Sequence, residues 1–179
     1  KRAVAAEIAA HGERDAVIAS STSALRGSGF LVEIAGPARA LVAHPVNPPH
    51  LIPLVELSPA PWTAPEIVAR TKALHESVGQ VPIVVNKELQ GFILNRLQGA
   101  LLAEAFRLHA GGYVSAEDID KTVRDGLGLR WSFMGPFETI DLNAPGGITE
   151  YCARYGDAYH EMAQQQTPCR WDDALVRRI

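Results

Sequence analysis

The chain has 179 residues, 47% of them hydrophobic and 21% charged, with a formal net charge of -3 at pH 7. This is enough apolar material for the core of one large domain or two small ones, and it offers no basic field to nucleic acid or anionic lipid. A small-molecule partner is expected, and no run approaches the roughly 20 apolar residues of a membrane-spanning helix.

Lys1-Arg2-Ala3-Val4 opens an alanine-rich polar helix instead of a signal-peptide core, so the expected location is cytoplasmic. That helix should end near His11-Gly12, with the glycine in a left-handed cap. Ala16-Val17-Ile18-Ala19 reads as a short buried strand, and Ser20-Ser21-Thr22-Ser23 as a polar turn whose hydroxyls could cap a helix or face a ligand. A helical or irregular stretch to Ile34 and a turn at Gly36-Pro37 lead to the apolar run Ala40-Leu41-Val42-Ala43, which suggests a βαβ unit. His44 then falls at or just past a strand's carboxyl end, where open α/β sheets bind ligands. Pro45, Pro48 and Pro49 should hold the segment from His44 to His50 in one shape.

Leu54-Val55-Glu56-Leu57 reads as the next strand. Thr63-Ala64-Pro65-Glu66 has the pattern of a capping box with proline just inside, opening a helix to Val78 that stops at Gly79. Val81 to Val85 is a further strand, and Pro82 places it at an edge or at its own start. After Asn86-Lys87 the texture becomes helical, with a long helix from Gly91 to about Ala110 and a second one opened by a box-like cap at Ser115-Ala116-Glu117-Asp118. Further helices are expected after Gly135-Pro136 and after Gly146-Gly147. The chain therefore divides into a mixed α/β region, 1–87, and an all-helical region, 88–179.

The residues that could carry chemistry lie mostly in the first region. Glu56 shares a strand face with Ile52 and Leu54, where an unpaired charge would cost several kcal/mol. Its partner could be His44, the carboxylate fixing the imidazole's tautomer while the other nitrogen takes a proton; alternatively Glu56 faces water from an edge strand. Asn95 sits in the first turn of the long helix, and by itself reads as a polar group on the wet side. His44 and His50 match no zinc spacing, and Cys152 and Cys169 read as reduced thiols, so no metal site is expected. The G-x-G openings at Gly27 and Gly126 meet Val32 and Trp131 where a third glycine would stand, so the dinucleotide-binding fingerprint is not found in these residues.

Taken together, Ser21-Thr22-Ser23, His44-x-x-Asn47-Pro48, Leu54-Val55-Glu56 and Gly91-Phe92-Ile93-Leu94-Asn95-Arg96 resemble the 3-hydroxyacyl-CoA dehydrogenase family in order and spacing. Gly128-Leu129-Arg130-Trp131, Met134-Gly135-Pro136-Phe137-Glu138-Thr139 and Leu142-Asn143-Ala144 are similar to its lambda-crystallin branch, which includes L-gulonate 3-dehydrogenase. The resemblance implies the carboxyl-terminal part of a Rossmann-like NAD-binding domain followed by a helical domain through which the family dimerises. It implies that His44 is the base, that Glu56 orients it, that Ser23 and Asn95 hydrogen-bond the substrate oxygen, and that Ser23 and Asn47 lie near the nicotinamide of NAD. The implied substrate is a 3-hydroxy acid or its CoA thioester. The family's opening strand, glycine-rich turn and helix are not matched, so the chain is expected to be an inactive part of a longer enzyme whose half-sheet exposes an unpaired edge. A different expectation is a non-catalytic structural or dimerisation module of the crystallin kind.

Overall fold

The computed structural model describes residues 1–179 and contains two compact units, Lys1–Gln98 and Gly99–Ile179. In the first unit, helix α1 (Arg2–His11) precedes strands β1 (Ile18–Ser20), β2 (Ala40–Pro45) and β3 (Leu54–Pro59), helix α2 (Pro65–Ser77) and strand β4 (Val81–Val84). The four strands form one sheet in chain order. β1 runs parallel to β2, β2 antiparallel to β3, and β3 parallel to β4, so β1 and β4 are the edges. Pro82 therefore sits in an edge strand, where a missing amide hydrogen is tolerated.

β2 is apolar on both faces because both are covered. Ala40 and Val42 join Ala5, Ala9, Ile18, Phe30, Leu31, Ile34 and Phe92 on one side, whereas Leu41 and Ala43 join Val55 and Leu57 on the other. Alternation along the strand then places His44 on the face of Ala40 and Val42. On β3 the same alternation separates Glu56 and Ser58 from Val55 and Leu57, and the antiparallel register sets His44 directly opposite Glu56.

Several local expectations are corrected. Gly12 is extended, with φ -74° and ψ 162°, instead of left-handed. A Cβ at Gly12 would stand 2.7 Å from the Ile8 carbonyl oxygen that its own amide bonds, so close approach is what favours glycine here. The strand expected at Ala16–Ala19 lies at Ile18–Ser20. The parallel β1–β2 connection carries no α-helix: it contains only the 3-10 turns Gly27–Gly29 and Pro37–Arg39, with Gly36 left-handed at φ 69°. Thr63 does not cap α2. Ala64 holds that position, while the Thr63 hydroxyl donates to Ala40 O at 2.6 Å and accepts from Ala60 N at 2.9 Å, tying the start of β2 to the loop after β3. Gly79 ends the segment after α2 with φ 80°.

Arg39 locks α1 to the sheet through backbone oxygens. Its guanidinium donates to Ala9 O at 2.8 Å, Glu13 O at 2.7 Å and Ala16 O at 3.0 Å, so one side chain satisfies the end of the helix and the turn into β1.

Helix α3 (Leu94–Ala110) begins at Leu94, three residues later than the pattern suggests, because Gly91 and Phe92 are left-handed. In the second unit, α4 (Ala116–Lys121) is capped as expected, the Ser115 hydroxyl accepting from Asp118 N at 3.1 Å. The helix then widens into a π-helical segment, Thr122–Gly128, before α5 (Leu129–Trp131). No feature of the hydrophobic pattern announced that change of winding. Helices α6 (Pro136–Leu142), α7 (Gly147–Gln164) and α8 (Asp173–Val176) follow. Packing here is sparse: Phe106 stacks on Trp171 with centroids 4.3 Å apart, and the hydroxyls of Tyr151 and Tyr159 meet at 2.8 Å.

Replacing Arg39 with methionine keeps the stem's bulk and removes three charge-assisted bonds. Urea unfolding of the first unit should show a loss of at least about 1.5–3 kcal/mol, the range for one hydrogen bond to a charged group.

Candidate active site

The candidate site is built around Glu56, whose side chain is wholly buried. Its Oε2 meets His44 Nδ1 at 2.8 Å. Its Oε1 accepts two backbone bonds, from Ile93 N at 2.8 Å and Leu94 N at 2.9 Å. Because Leu94 starts α3, this carboxylate from another element does what an N-cap side chain would do, at the end of the helix that favours negative charge.

The turn into α3 exists to aim those amides. Gly91 at φ 81° and Phe92 at φ 51° are consecutive left-handed residues. Glycine adopts that conformation freely, whereas a phenylalanine strains by roughly 1–2 kcal/mol. Packing offsets the strain, since Phe92 is fully buried and its ring centre lies 5.2 Å from that of His44 at 40°. Gly91 N also bonds Ala24 O at 3.0 Å, which fixes the turn against the segment after β1.

His44 is 6% exposed and is the penultimate residue of β2. With Nδ1 committed to Glu56, the ring has one nitrogen left: Nε2 makes no hydrogen bond within the protein and remains accessible. A buried, carboxylate-oriented imidazole with one free nitrogen is arranged to accept a proton from a bound group.

The structure brings Ser23 and Asn95 together but through the backbone of one of them. Asn95 Nδ2 donates to Ser23 O at 2.6 Å, leaving the amide oxygen of Asn95 and the exposed Ser23 hydroxyl without partners. Asn95 is therefore half-buried and tied down instead of lying loose on a wet helix face. Asn47 is exposed in the loop that follows β2, beside a cis Asn47–Pro48 bond. Sequence reasoning missed the amides of Ile93 and Leu94 as partners of Glu56. The signal was Gly91 just ahead of a helix that lacks a side-chain cap of its own.

These elements fit one end of a nicotinamide dinucleotide. Ser23 follows β1 and Asn47 follows β2, two parallel strands whose carboxyl ends are the ligand-binding edge of such a sheet, and both present unpaired amide or hydroxyl groups. Ser23 and Asn47 could hold the carboxamide end of such a cofactor, and no glycine-rich pyrophosphate fingerprint is found in these residues.

A Rossmann-like sheet bearing a histidine oriented by a carboxylate, continued by a separate helical unit, defines a two-domain fold of the nucleotide-binding dehydrogenase type. The chain belongs to the 3-hydroxyacyl-CoA dehydrogenase family: residues 1–89 match the model of its NAD binding domain and residues 91–178 that of its C-terminal domain, and the cofactor is accordingly NAD. The human lambda-crystallin homolog is 47% identical over 152 residues, covering 85% of this chain and 47% of that protein. L-carnitine dehydrogenase of Pseudomonas aeruginosa is 44% identical over 175 residues, covering 97% of this chain and 54% of the relative. Among solved structures, that of 5-formyl-3-hydroxy-2-methylpyridine 4-carboxylic acid 5-dehydrogenase, an NAD+ dependent dismutase, superposes with a TM-score of 0.83 at 30% identity, covering 96% of this chain and 54% of the other. The chain spans about half the length of the curated relatives it matches.

Two substitutions at Phe92 separate strain from packing. Phe92→Ala loses the ring and keeps a Cβ at positive φ, whereas Phe92→Gly loses the ring and relieves the strain. Both should be less stable than the parent in urea titrations, with the glycine variant more stable than the alanine variant by about 1 kcal/mol. Equal stability of the two would remove strain from the account.

Proposed function

We propose that the full-length protein is an NAD-dependent oxidoreductase that oxidises the hydroxyl of a 3-hydroxy acid or of its CoA thioester. The observation carrying this reading is the 2.8 Å contact of His44 Nδ1 with the buried Glu56 carboxylate, which leaves Nε2 free. Nε2 takes the hydroxyl proton as the carbon–oxygen double bond forms. The bound NAD supplies the hydride acceptor. Glu56 holds the ring's orientation and stabilises the imidazolium as the positive charge develops. The second amide hydrogen of Asn95 and the Ser23 hydroxyl donate to the substrate oxygen and hold it in line with Nε2, and Asn47 lies beside the carboxamide end of the cofactor. The likeness to the lambda-crystallin branch favours a free hydroxy acid such as L-gulonate over the thioester. These 179 residues alone are inactive in this reading, because they include no pyrophosphate-binding loop.

The helical region would pair with a second copy. In support, α3 buries no residue along its 17 positions, and Leu129, Phe133, Phe137 and Leu142 are all more than half exposed. A cytoplasmic location belongs to the same reading. The relatives named lambda-crystallin favour a second one, a structural protein that keeps the old site without using it. Sedimentation with and without NAD addresses it: a dimer that binds no nicotinamide favours the structural protein, and a cofactor-dependent rise in thermal stability favours a working site.

In a protein that includes the upstream region, His44→Ala should lower turnover about 10²- to 10⁴-fold, the usual contribution of a positioned base, while NADH affinity measured by fluorescence changes little. Turnover that survives the substitution would rule out His44 as the base. The same titration on the 179-residue chain should show no NADH binding; saturable binding there would overturn the proposal that this stretch is inactive alone.

A further inference from the structure

The G-x-G at Gly27-Ser28-Gly29 is no nucleotide fingerprint, and the chemistry assigned to His44 gives it no part. In the structure it is a 3-10 turn whose Ser28 amide donates to Glu88 Oε1 at 2.9 Å, across 60 positions of sequence. Glycine at 27 leaves room for that carboxylate: a Cβ there would stand 3.2 Å from Glu88 Oε1 and 3.2 Å from Leu31 Cδ1. Glu88 is half-buried and enters no ion pair, so its charge is free to serve the turn.

This bond is the first of a series between two segments that run in opposite directions. Glu88 holds Ser28, the Gly91 amide bonds Ala24 O at 3.0 Å, and the Asn95 side chain bonds Ser23 O at 2.6 Å. Ser23 lies at the end of the series that meets the site. It is exposed and its hydroxyl has no partner, so its place is set through the backbone. Behind it the buried Thr22 hydroxyl accepts from Leu25 N at 3.4 Å, and at the far end the Arg2 guanidinium donates to Gly29 O at 2.9 Å.

We propose that Glu88 is a positioning residue for the dehydrogenase reaction: by holding the turn at Gly27–Gly29 it fixes Ser23, whose hydroxyl donates to the substrate oxygen. This rests on the function proposed for the full-length protein. Residues 88–95 then place both the hydroxyl donor and, through the amides of Ile93 and Leu94 on Glu56, the base, so the two are set against one frame. Small misplacements of a positioned group are costly in rate, and because Gly91 and Asn95 share the task, the loss expected from Glu88 alone is about tenfold.

In the protein that includes the upstream region, with L-gulonate and NAD, Glu88→Ala should lower kcat about tenfold. Glu88→Gln, which keeps an acceptor oxygen, should stay within about threefold of the parent. A double-mutant cycle with Ser23→Ala separates positioning from general loosening: Glu88→Ala added to Ser23→Ala should cost less than about twofold more. Multiplicative losses overturn the proposal, as does full turnover in a Glu88→Ala variant shown by thermal melt to be folded. NMR of the 179-residue chain reads the geometry without substrate. Glu88→Ala should shift the Ser23 amide and the Asn95 side-chain amide as well as Ser28, and Glu88→Gln should leave Ser23 and Asn95 in place. Shifts confined to Ser28 and its immediate neighbours would overturn the proposal. His44→Ala tells the two failures apart: turnover retained there refutes the dehydrogenase function, whereas turnover lost there and intact in Glu88→Ala refutes the positioning alone.

Discussion

A single carboxylate, that of Glu56, ties the first unit together. Burying a charge without partners is costly, so two elements converge on β3 to supply them: β2 with His44, and the start of α3 with the amides of Ile93 and Leu94. The same convergence joins the sheet to the helix and fixes the imidazole. Removing one partner would leave the others buried and unsatisfied, so stability and site geometry rest on the same hydrogen bonds.

The sheet makes this arrangement possible through its register. Because side chains alternate along a strand, a one-residue slip of β3 against β2 would move Glu56 to the face of Leu57 and leave His44 opposite an aliphatic residue. The apolar residues on both faces of β2, with Val55 and Leu57 on one face of β3, prevent that slip. Phe92 completes the device: it is held at positive φ by its own burial, and that conformation turns the next two amides toward the carboxylate. Strain at one residue is thus offset by packing and used to place hydrogen-bond donors.

The second unit is organised differently. Its helices bury few side chains, and much of its apolar surface is open. The first unit is built to hold a few groups rigidly, and the second to present surface. That contrast accords with a chain in which residues 1–89 and 91–178 match two separate domain models of one family.

Much of this was legible in the sequence. Strong apolar runs marked β2, β3 and β4, glycines marked the ends of α2 and α3, and Ser115 marked the start of α4, because these signals act over a few neighbouring residues. The misreadings had the same local origin. Thr63 has the pattern of a cap, but its hydroxyl found a better acceptor in Ala40 O, a residue far away in sequence. The crossover after β1 lacked its helix, and α3 started late, because Phe92 is placed by contacts with the core instead of by its own propensity. The sequence by itself determined the kinds of element, the candidate residues His44, Glu56, Ser23 and Asn95, and the family they resemble. Only the tertiary structure decided that Glu56 turns inward, that its second oxygen caps α3, and that Asn95 is tethered to Ser23 O. These depend on strand register and on contacts between residues distant along the chain, which no local pattern encodes.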